Sequence, residues 1–407
     1  MARTTVIVGA GVAGLAAAVM AVSKGDKVII LEAAPHPGGR CRAWPLAGED
    51  LPLVDLGTHL ILRGNRALHA YLDRIGAKDG FIAPGPTPGA LTLIGGTDRL
   101  TLPLGPGLLL KPPAPLTRRA LLAAHRLMRG GRVGDRLDLD SPTGRWLWHP
   151  LVRAALNIDP AEGDARLLSA VLRQGLLRGT AAACPLVPRD SLDAALIRPA
   201  IAYLTARGAI LRTTTPLRRL DRTDDRITAL HVGNGDTIPI TPMSRIVLAV
   251  PPQAAHRLLP DLDVPTESRA ILNLHATLPV PPAGDAPELL GLIDGTGEWF
   301  LRRGVRVAVT LSAADRLRDT PAAEIETAIK ADLLRLYGCA PDQVRLIWEK
   351  RATFAATPAQ NARRPGPNVP GLLNLRLAGD WIATGLPATL EGAIRSGLRA
   401  VESFGRR

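Results

Sequence analysis

An α/β fold of two domains, one resting on a parallel sheet and the other mixed α+β, is predicted by three features of this 407-residue sequence. The chain opens on a β-branched run, Thr4 to Val8, that turns through glycines into a run of helical spacing ending near Ser23; a second apolar run, KVIILEA, follows. Far downstream, LAGDWIATGLPATLEGAIRSG repeats the plan as a short apolar run, an abrupt Gly-Asp, a loop and a helix start. Strand and helix patterns continue between these two corners, and the length allows two or three domains with a sizeable core.

Each part of the first corner has a mechanical reason. Gly9 makes the tight turn out of the strand, Gly11 lets backbone N–H groups approach a pyrophosphate, and Gly14 lets the helix lie close to the strand. The helix N-terminus presents its positive dipole end to phosphate. Glu32, closing the second strand, is placed to accept hydrogen bonds from both hydroxyls of a ribose. This frame predicts a Rossmann-like dinucleotide site and leaves NAD and FAD both open. It also decides how residues 4–23 are read. They are uncharged and imitate a leader or a spanning helix, but the glycine spacing and the strand that follows favour a strand-turn-helix of a soluble domain.

The next residues narrow the choice. PHPGGRCRAW resembles the GG-R element of FAD enzymes of the amine oxidase and phytoene desaturase superfamily, whose FAD-binding domain is of the glutathione-reductase type. The resemblance implies FAD as cofactor, with Gly38, Gly39 and Arg40 at its pyrophosphate and VDLGTH, which carries Gly57 and His59, passing the flavin ring. It implies that Gly379 and Asp380 meet the ribityl chain, and that Thr389 and Leu390 open a helix whose N–H groups face the flavin's pyrimidine end. A cofactor as long as FAD then takes two helix N-termini from distant parts of the chain. Leu217 falls where a strand residue of the superfamily meets adenine through its backbone; by residue type alone it reads equally well as a packing leucine.

Residues 1–66, 190–260 and 371–407 are expected to build the FAD-binding domain. Its middle part reads as a helix stopped at Gly208, the strands AILRTT and RITALHV, a Gly-Asn-Gly-Asp turn at 233–236, and RIVLAVPP. Residues 67–189, mainly helical with Pro-Gly breaks, and 261–370, with the loop PVPPAGDAP followed by antiparallel strands and helices, are expected to form the substrate domain. No internal repeat or low-complexity tail is present. The segment from Leu102 to Leu137 combines apolar residues with Arg118, Arg119, Arg126, Arg129 and Arg132, and reads as a basic amphipathic helix, lying either on a membrane or over the substrate domain.

Composition sets further bounds. Hydrophobic residues make up 46% of the chain but aromatic ones only 3%, so the interior is aliphatic, which suits a lipid-like substrate. The net charge of +13 comes from arginine, a pattern that fits both attraction to an anionic membrane and the codon usage of a GC-rich genome. Nucleic acid is disfavoured, because no basic patch is interleaved with aromatics. Cys41, Cys184 and Cys339 are far apart with no paired spacing, which indicates a reducing compartment and neither a disulfide framework nor a metal site. The expected location is the cytoplasm, peripheral on the inner membrane.

A closer resemblance spans nearly the whole chain. WHPLVRAALNIDPAEGDARLLSAVL, DGTGEWFLRRG, KRATFAATPAQNARRP and NLRLAGDWIATGLPATLEGAIRSGLRA are similar to stretches of hydroxysqualene dehydroxylases, also called squalene-associated FAD-dependent desaturases. That family implies a reductive step in bacterial hopanoid precursor synthesis, in which an isoprenoid lipid, hydroxysqualene, loses its hydroxyl and becomes squalene. The chemistry needs a hydride from flavin N5, a proton for the departing hydroxyl, and an apolar tunnel that keeps water from a developing allylic cation. His59 is the candidate proton donor, with a histidine merely hydrogen-bonded to backbone as the plainer reading, and Arg351 is read as structural. No second GxGxxG is present, so the electron donor is unidentified. One departure is the segment Asp55 to His59, where family members often have Asn and Gln. The competing expectations are a polyene desaturase, in which hydride flows from substrate to flavin, and a non-catalytic isoprenoid carrier that retains FAD. Thr389-Leu390 stands where an amine oxidase needs an aromatic residue, which disfavours amines.

Overall fold

The computed structural model describes residues 3–45, 53–85, 89–233, 235–280 and 288–405. Asn234 of the expected turn and residues 281–287 of the expected loop lie outside them. Five strands form a parallel sheet: β1 (Thr4–Val8), β2 (Lys27–Leu31), β3 (Ile210–Arg212), β4 (Arg245–Leu248) and β5 (Leu375–Leu377), in the spatial order β3-β2-β1-β4-β5. Their branched, apolar side chains suit a parallel sheet covered on both faces. Residues 4–23 are therefore the strand, turn and helix that the glycine spacing predicted.

Helix α1 (Val12–Ser23) is alanine-rich, and this lets it lie close to both the sheet and α2 (Leu390–Glu402). The closest approach is at Gly397, where an added Cβ would collide with the backbone carbonyl of Ala13 and lie 3.0 Å from the amide nitrogen of Ala17. The two glycine-bearing corners are thus packed helix to helix.

A seven-stranded sheet forms the second layer system, in the order Gln343–Phe354, Ser268–Thr277, Arg306–Leu311, Trp299–Arg303, Glu288–Leu292, Ala90–Gly95, Asp98–Pro103. Its pairs are antiparallel except Glu288–Leu292 with Ala90–Gly95. Along Ser268–Thr277 the side chains alternate. Leu272, Leu274 and Ala276 join the core under the helix Ala322–Tyr337, with Ile325, Ile329 and Leu333. Asn273 and His275 point the other way, toward residues 55–57.

One sequence expectation is extended and another corrected. Beside its helices and helical turns, the stretch 67–189 contributes a hairpin, Ala90–Gly95 with Asp98–Pro103, to the second sheet. The signal was the Gly95-Gly96 pair between alternating apolar residues; Gly96 sits at φ +58, the left-handed region that a tight hairpin turn requires. The segment from Leu102 to Leu137 is not one amphipathic helix. It breaks into short turns at Gly107–Leu110, Arg118–Leu122 and Ala123–Arg129. Pro112, Pro113 and Pro115 remove the N–H donors a continuous helix needs, and Gly130 and Gly131, both at positive φ, stop it. Among the described residues no helix is long and apolar enough to cross a membrane.

The α1/α2 contact leaves no room for a methyl group. Gly397→Ala is expected to destabilise the protein by about 1–3 kcal/mol, the usual range for overpacking. Thermal unfolding of the variant tests this, and an unchanged melting temperature would show that the helices can separate freely.

Candidate active site

The first corner closes as its glycines require. Gly9, at φ +104, faces the carbonyl of Ala249, and Gly14 lies against the carbonyl of Gly9. Gly11 differs: its φ is −71 and a Cβ built there meets nothing within 4 Å. The space in front of the α1 N-terminus is open at the one glycine assigned to let a ligand approach. Glu32 holds the corner together, its Oε2 accepting Ala10 N–H at 2.7 Å and its Oε1 accepting Ala34 N–H at 2.8 Å. Each oxygen retains a lone pair for a further donor. Thr215 donates its N–H to the carbonyl of Glu32, which brings Leu217, the first residue of strand Leu217–Thr223, close to this corner.

Gly38 and Gly39, at φ +113 and +56, fold the next loop back onto the first, and Gly38 N–H donates to the carbonyl of Ala10 at 2.8 Å. This turn aims Arg40 at the second corner. Its Nη2 forms an ion pair with Asp380 Oδ1 at 2.8 Å, and its Nη1 donates to the carbonyl of Ala352. The buried carboxylate beside it raises the basicity of Arg40. Gly379, at φ +150, turns the chain out of β5 and is anchored by Ser396 Oγ, which accepts its N–H at 2.8 Å. Thr389 caps α2, its Oγ1 accepting Gly392 N–H at 3.1 Å, so Leu390 is the first helical residue.

Sequence reasoning missed what Glu391 does. Its carboxylate, 3% exposed, accepts Leu68 N–H at 2.9 Å and Ala67 N–H at 3.2 Å and pairs with Arg395 at 2.8 Å. It caps the helix Arg66–Arg74 and ties it to α2. It thus spends its charge on structure.

The segment Asp55 to His59 is pinned from the second sheet. His275 Nε2–H donates to the carbonyl of Asp55 at 2.9 Å, and Asn273 Nδ2–H donates to that of Leu56 at 3.3 Å. Burial pushes His275 down to about 4, so it is a neutral donor. Neither residue carried a signal in the sequence, because both sit inside an otherwise apolar strand. Gly57 accepts His59 Nδ1–H at 2.9 Å, which fixes the tautomer with the lone pair on Nε2. Burial, opposed by the Gly57 bond, depresses the basicity of His59; Arg40 lowers it further and Asp380 raises it. With Nδ1–H engaged by Gly57, Nε2 carries the lone pair, so His59 can donate from Nε2 only after taking up a proton.

Asp55 itself is 7% exposed, and its Oδ1 accepts Leu192 N–H at 2.7 Å. Burial pushes its carboxyl up to about 7; the Leu192 bond and Arg303 oppose that shift, and Asp193 adds to it. With Thr58, Asp190, His275 and Arg303, among apolar residues such as Val54 and Leu301, it lines a small cavity between the segment and the second sheet.

Two helix N-termini, an open approach at Gly11, and the Glu32 and Asp380 carboxylates are features that could hold a long dinucleotide. Comparison with known proteins agrees. The profile of the flavin containing amine oxidoreductases matches residues 12–403. A hydroxysqualene dehydroxylase of Sinorhizobium fredii is 41% identical over 99% of this chain and 98% of its own. The chain belongs to the hydroxysqualene dehydroxylase family of flavin oxidoreductases. Another hydroxysqualene dehydroxylase, of Rhodopseudomonas palustris, is 40% identical over the same shares. Putrescine oxidase bound to putrescine shares the fold, with a TM-score of 0.69 at 16% identity over the full length of both chains. As a member of the hydroxysqualene dehydroxylase family, the chain is an FAD-dependent oxidoreductase of squalene-related metabolism, which sets aside the non-catalytic carrier.

Gly11→Ala is expected to keep the melting temperature of the FAD-free protein and to weaken FAD binding at least about tenfold, or ~1.4 kcal/mol. Unchanged affinity by flavin fluorescence titration would remove Gly11 from the site. For Asp55 the folded value, about 7, lies above the ordinary 3.8, so the folded state binds the extra proton between about pH 4 and 7. Stability contributed by that proton is full below this window and is lost as pH rises through it. The melting temperature of Asp55→Asn relative to the parent is expected to rise from pH 5 to pH 8. A constant difference would mean that Asp55 titrates normally.

Proposed function

We propose that this protein reduces hydroxysqualene to squalene on the bacterial route to hopanoids. The observation that carries the reading is the 41% identity to a named hydroxysqualene dehydroxylase over almost the entire chain. Bound FAD in its reduced form supplies the hydride that takes the place of the substrate's hydroxyl. With a proton added to that hydroxyl, the products balance as squalene and water.

The chain's own residues have separable tasks in this reading. Gly9, Gly11 and Gly14 shape the α1 end for the pyrophosphate, with Gly38, Gly39 and Arg40 beside it, and Glu32 takes the ribose. The Leu217 backbone borders the adenine. Gly379 and Asp380 serve the ribityl chain, and Thr389 and Leu390 present the α2 N-terminus to the flavin's pyrimidine end, where its dipole favours negative charge. Gly57 offers no side chain beside the ring and holds His59 by its Nδ1–H. A proton reaching the substrate oxygen through His59 first loads Nε2, close to the Arg40–Asp380 pair whose two charges act on the ring in opposite senses. The electrons come from a separate reductant.

Contact with an anionic membrane is part of the same proposal. Seven basic residues and no acidic one lie between Asp98 and Asp135. Leu110, Leu122 and Met128 in that segment are 72%, 55% and 58% exposed, and Leu177, in the neighbouring turn, is 57% exposed. Apolar tips among cations match the boundary of an anionic bilayer.

Anaerobically reduced, FAD-loaded protein given hydroxysqualene in detergent is expected to yield squalene in stoichiometric amount as the flavin reoxidises, read by mass spectrometry and absorbance. No squalene from folded, reduced enzyme would defeat the assignment, and bleaching of oxidised flavin by a polyene would favour a desaturase. For the membrane contact, co-sedimentation with phosphatidylglycerol vesicles but not phosphatidylcholine vesicles is expected, and Leu110→Ser/Met128→Ser should weaken it. Equal recovery with both lipids would argue against an anionic surface.

A further inference from the structure

Arg364 is a cation with only 6% of its surface exposed, and among the described residues no carboxylate forms an ion pair with it. Its Nε–H donates to the carbonyl of Trp381 at 3.2 Å, and its Nη2 donates to the carbonyls of Asp380, at 3.2 Å, and Ile382. Its guanidinium lies 4.7 Å from the centroid of the buried Phe354 ring. Nη1 donates to Asn361 Oδ1 at 3.0 Å, and Asn361 Nδ2 donates to Asp164 Oδ2 at 3.0 Å. The other oxygen of Asp164 caps the helix Ala165–Gln174, accepting Arg166 N–H at 2.7 Å and Leu167 N–H at 3.0 Å.

A buried cation without a contacting anion is costly, and replacing one with an apolar side chain often stabilises a fold. Here the cost falls on three consecutive carbonyls of the loop that leaves β5 and carries Asp380. Burial pushes Arg364 down to about 10, against the pull of Asp380 and Asp164, so it remains protonated at neutral pH.

We propose that Arg364 is a positioning residue for the FAD site: it fixes the Asp380–Ile382 backbone, transmits the placement of the helix Ala165–Gln174 to that loop through Asn361 and Asp164, and adds a fixed positive charge that favours the reduced, more negative flavin. The proposal rests on the reading that Asp380 meets the cofactor. A positive charge held in a low-dielectric interior acts over a longer range than one in water, so the loop need not move for the effect on electron affinity to be felt.

The test uses the full chain loaded with FAD. Arg364→Met is expected to bind FAD at least about tenfold more weakly and to shift the flavin midpoint potential in the negative direction, while Arg364→Lys keeps more of the potential than of the affinity. Asn361→Ala, which leaves the charge in place, is expected to weaken FAD binding and to leave the potential nearly unchanged; it also serves should Arg364→Met not fold. Folded Arg364 variants with parental affinity and potential would overturn the proposal, as would an Asn361→Ala protein with parental affinity. Asp380→Asn separates the two readings. If it leaves FAD affinity untouched, the placement of the cofactor at this loop fails; if it weakens binding while Arg364→Met does not, only the role of Arg364 fails.

Discussion

The ion pair between Arg40 and Asp380 joins two loops that are far apart in sequence, and the site depends on their meeting. Arg40 reaches Asp380 because Gly38 and Gly39 take positive φ angles and fold the GG-R loop onto the first corner. Asp380 is presented because Gly379 turns sharply out of β5 and Arg364 holds the carbonyls that follow. The side chain of Arg40 is 44% exposed and that of Asp380 12%, so solvent screens one partner of the pair and hardly reaches the other. The stabilisation it contributes is therefore modest, and its value lies in fixing orientation.

In the segment Asp55 to His59 and the strand against it, burial works against charge on three titratable groups. His275 is kept neutral, His59 is held in one tautomer by Gly57, and the Asp55 carboxyl sits close to its midpoint at neutral pH. Each follows from the same cause: burial penalises the ionised form, and only a hydrogen bond or a nearby counter-charge offsets it.

The parallel sheet and its two helix starts were legible because glycine spacing leaves a mark that no other residue can replace. The cofactor was legible through the joint pattern at both corners, where a single fingerprint left two cofactors open. The Ala90–Pro103 hairpin was missed because a search for helical spacing passes over a Gly-Gly turn between short alternating runs. The basic segment was over-read, since its spacing is helical while its prolines are not. Asn273, His275 and Asp164 were invisible for a different reason: their roles are contacts between segments 197 to 220 residues apart in sequence order, Asp164–Asn361 at 197, Asn273–Leu56 at 217 and His275–Asp55 at 220. Residue type and local pattern hold no record of such pairings.

The interlocking of α1 and α2 at Gly397 also orders events during synthesis. α1 leaves the ribosome early, with an alanine face shaped for a partner helix that is made only after everything between Ser23 and Leu390. The strand that completes the sheet, β5, is equally late. A nascent chain therefore carries an uncovered apolar helix and half a nucleotide cradle for most of its translation, a state suited to chaperones and to aggregation alike. Both corners stand complete only once the last strand and helix have been made.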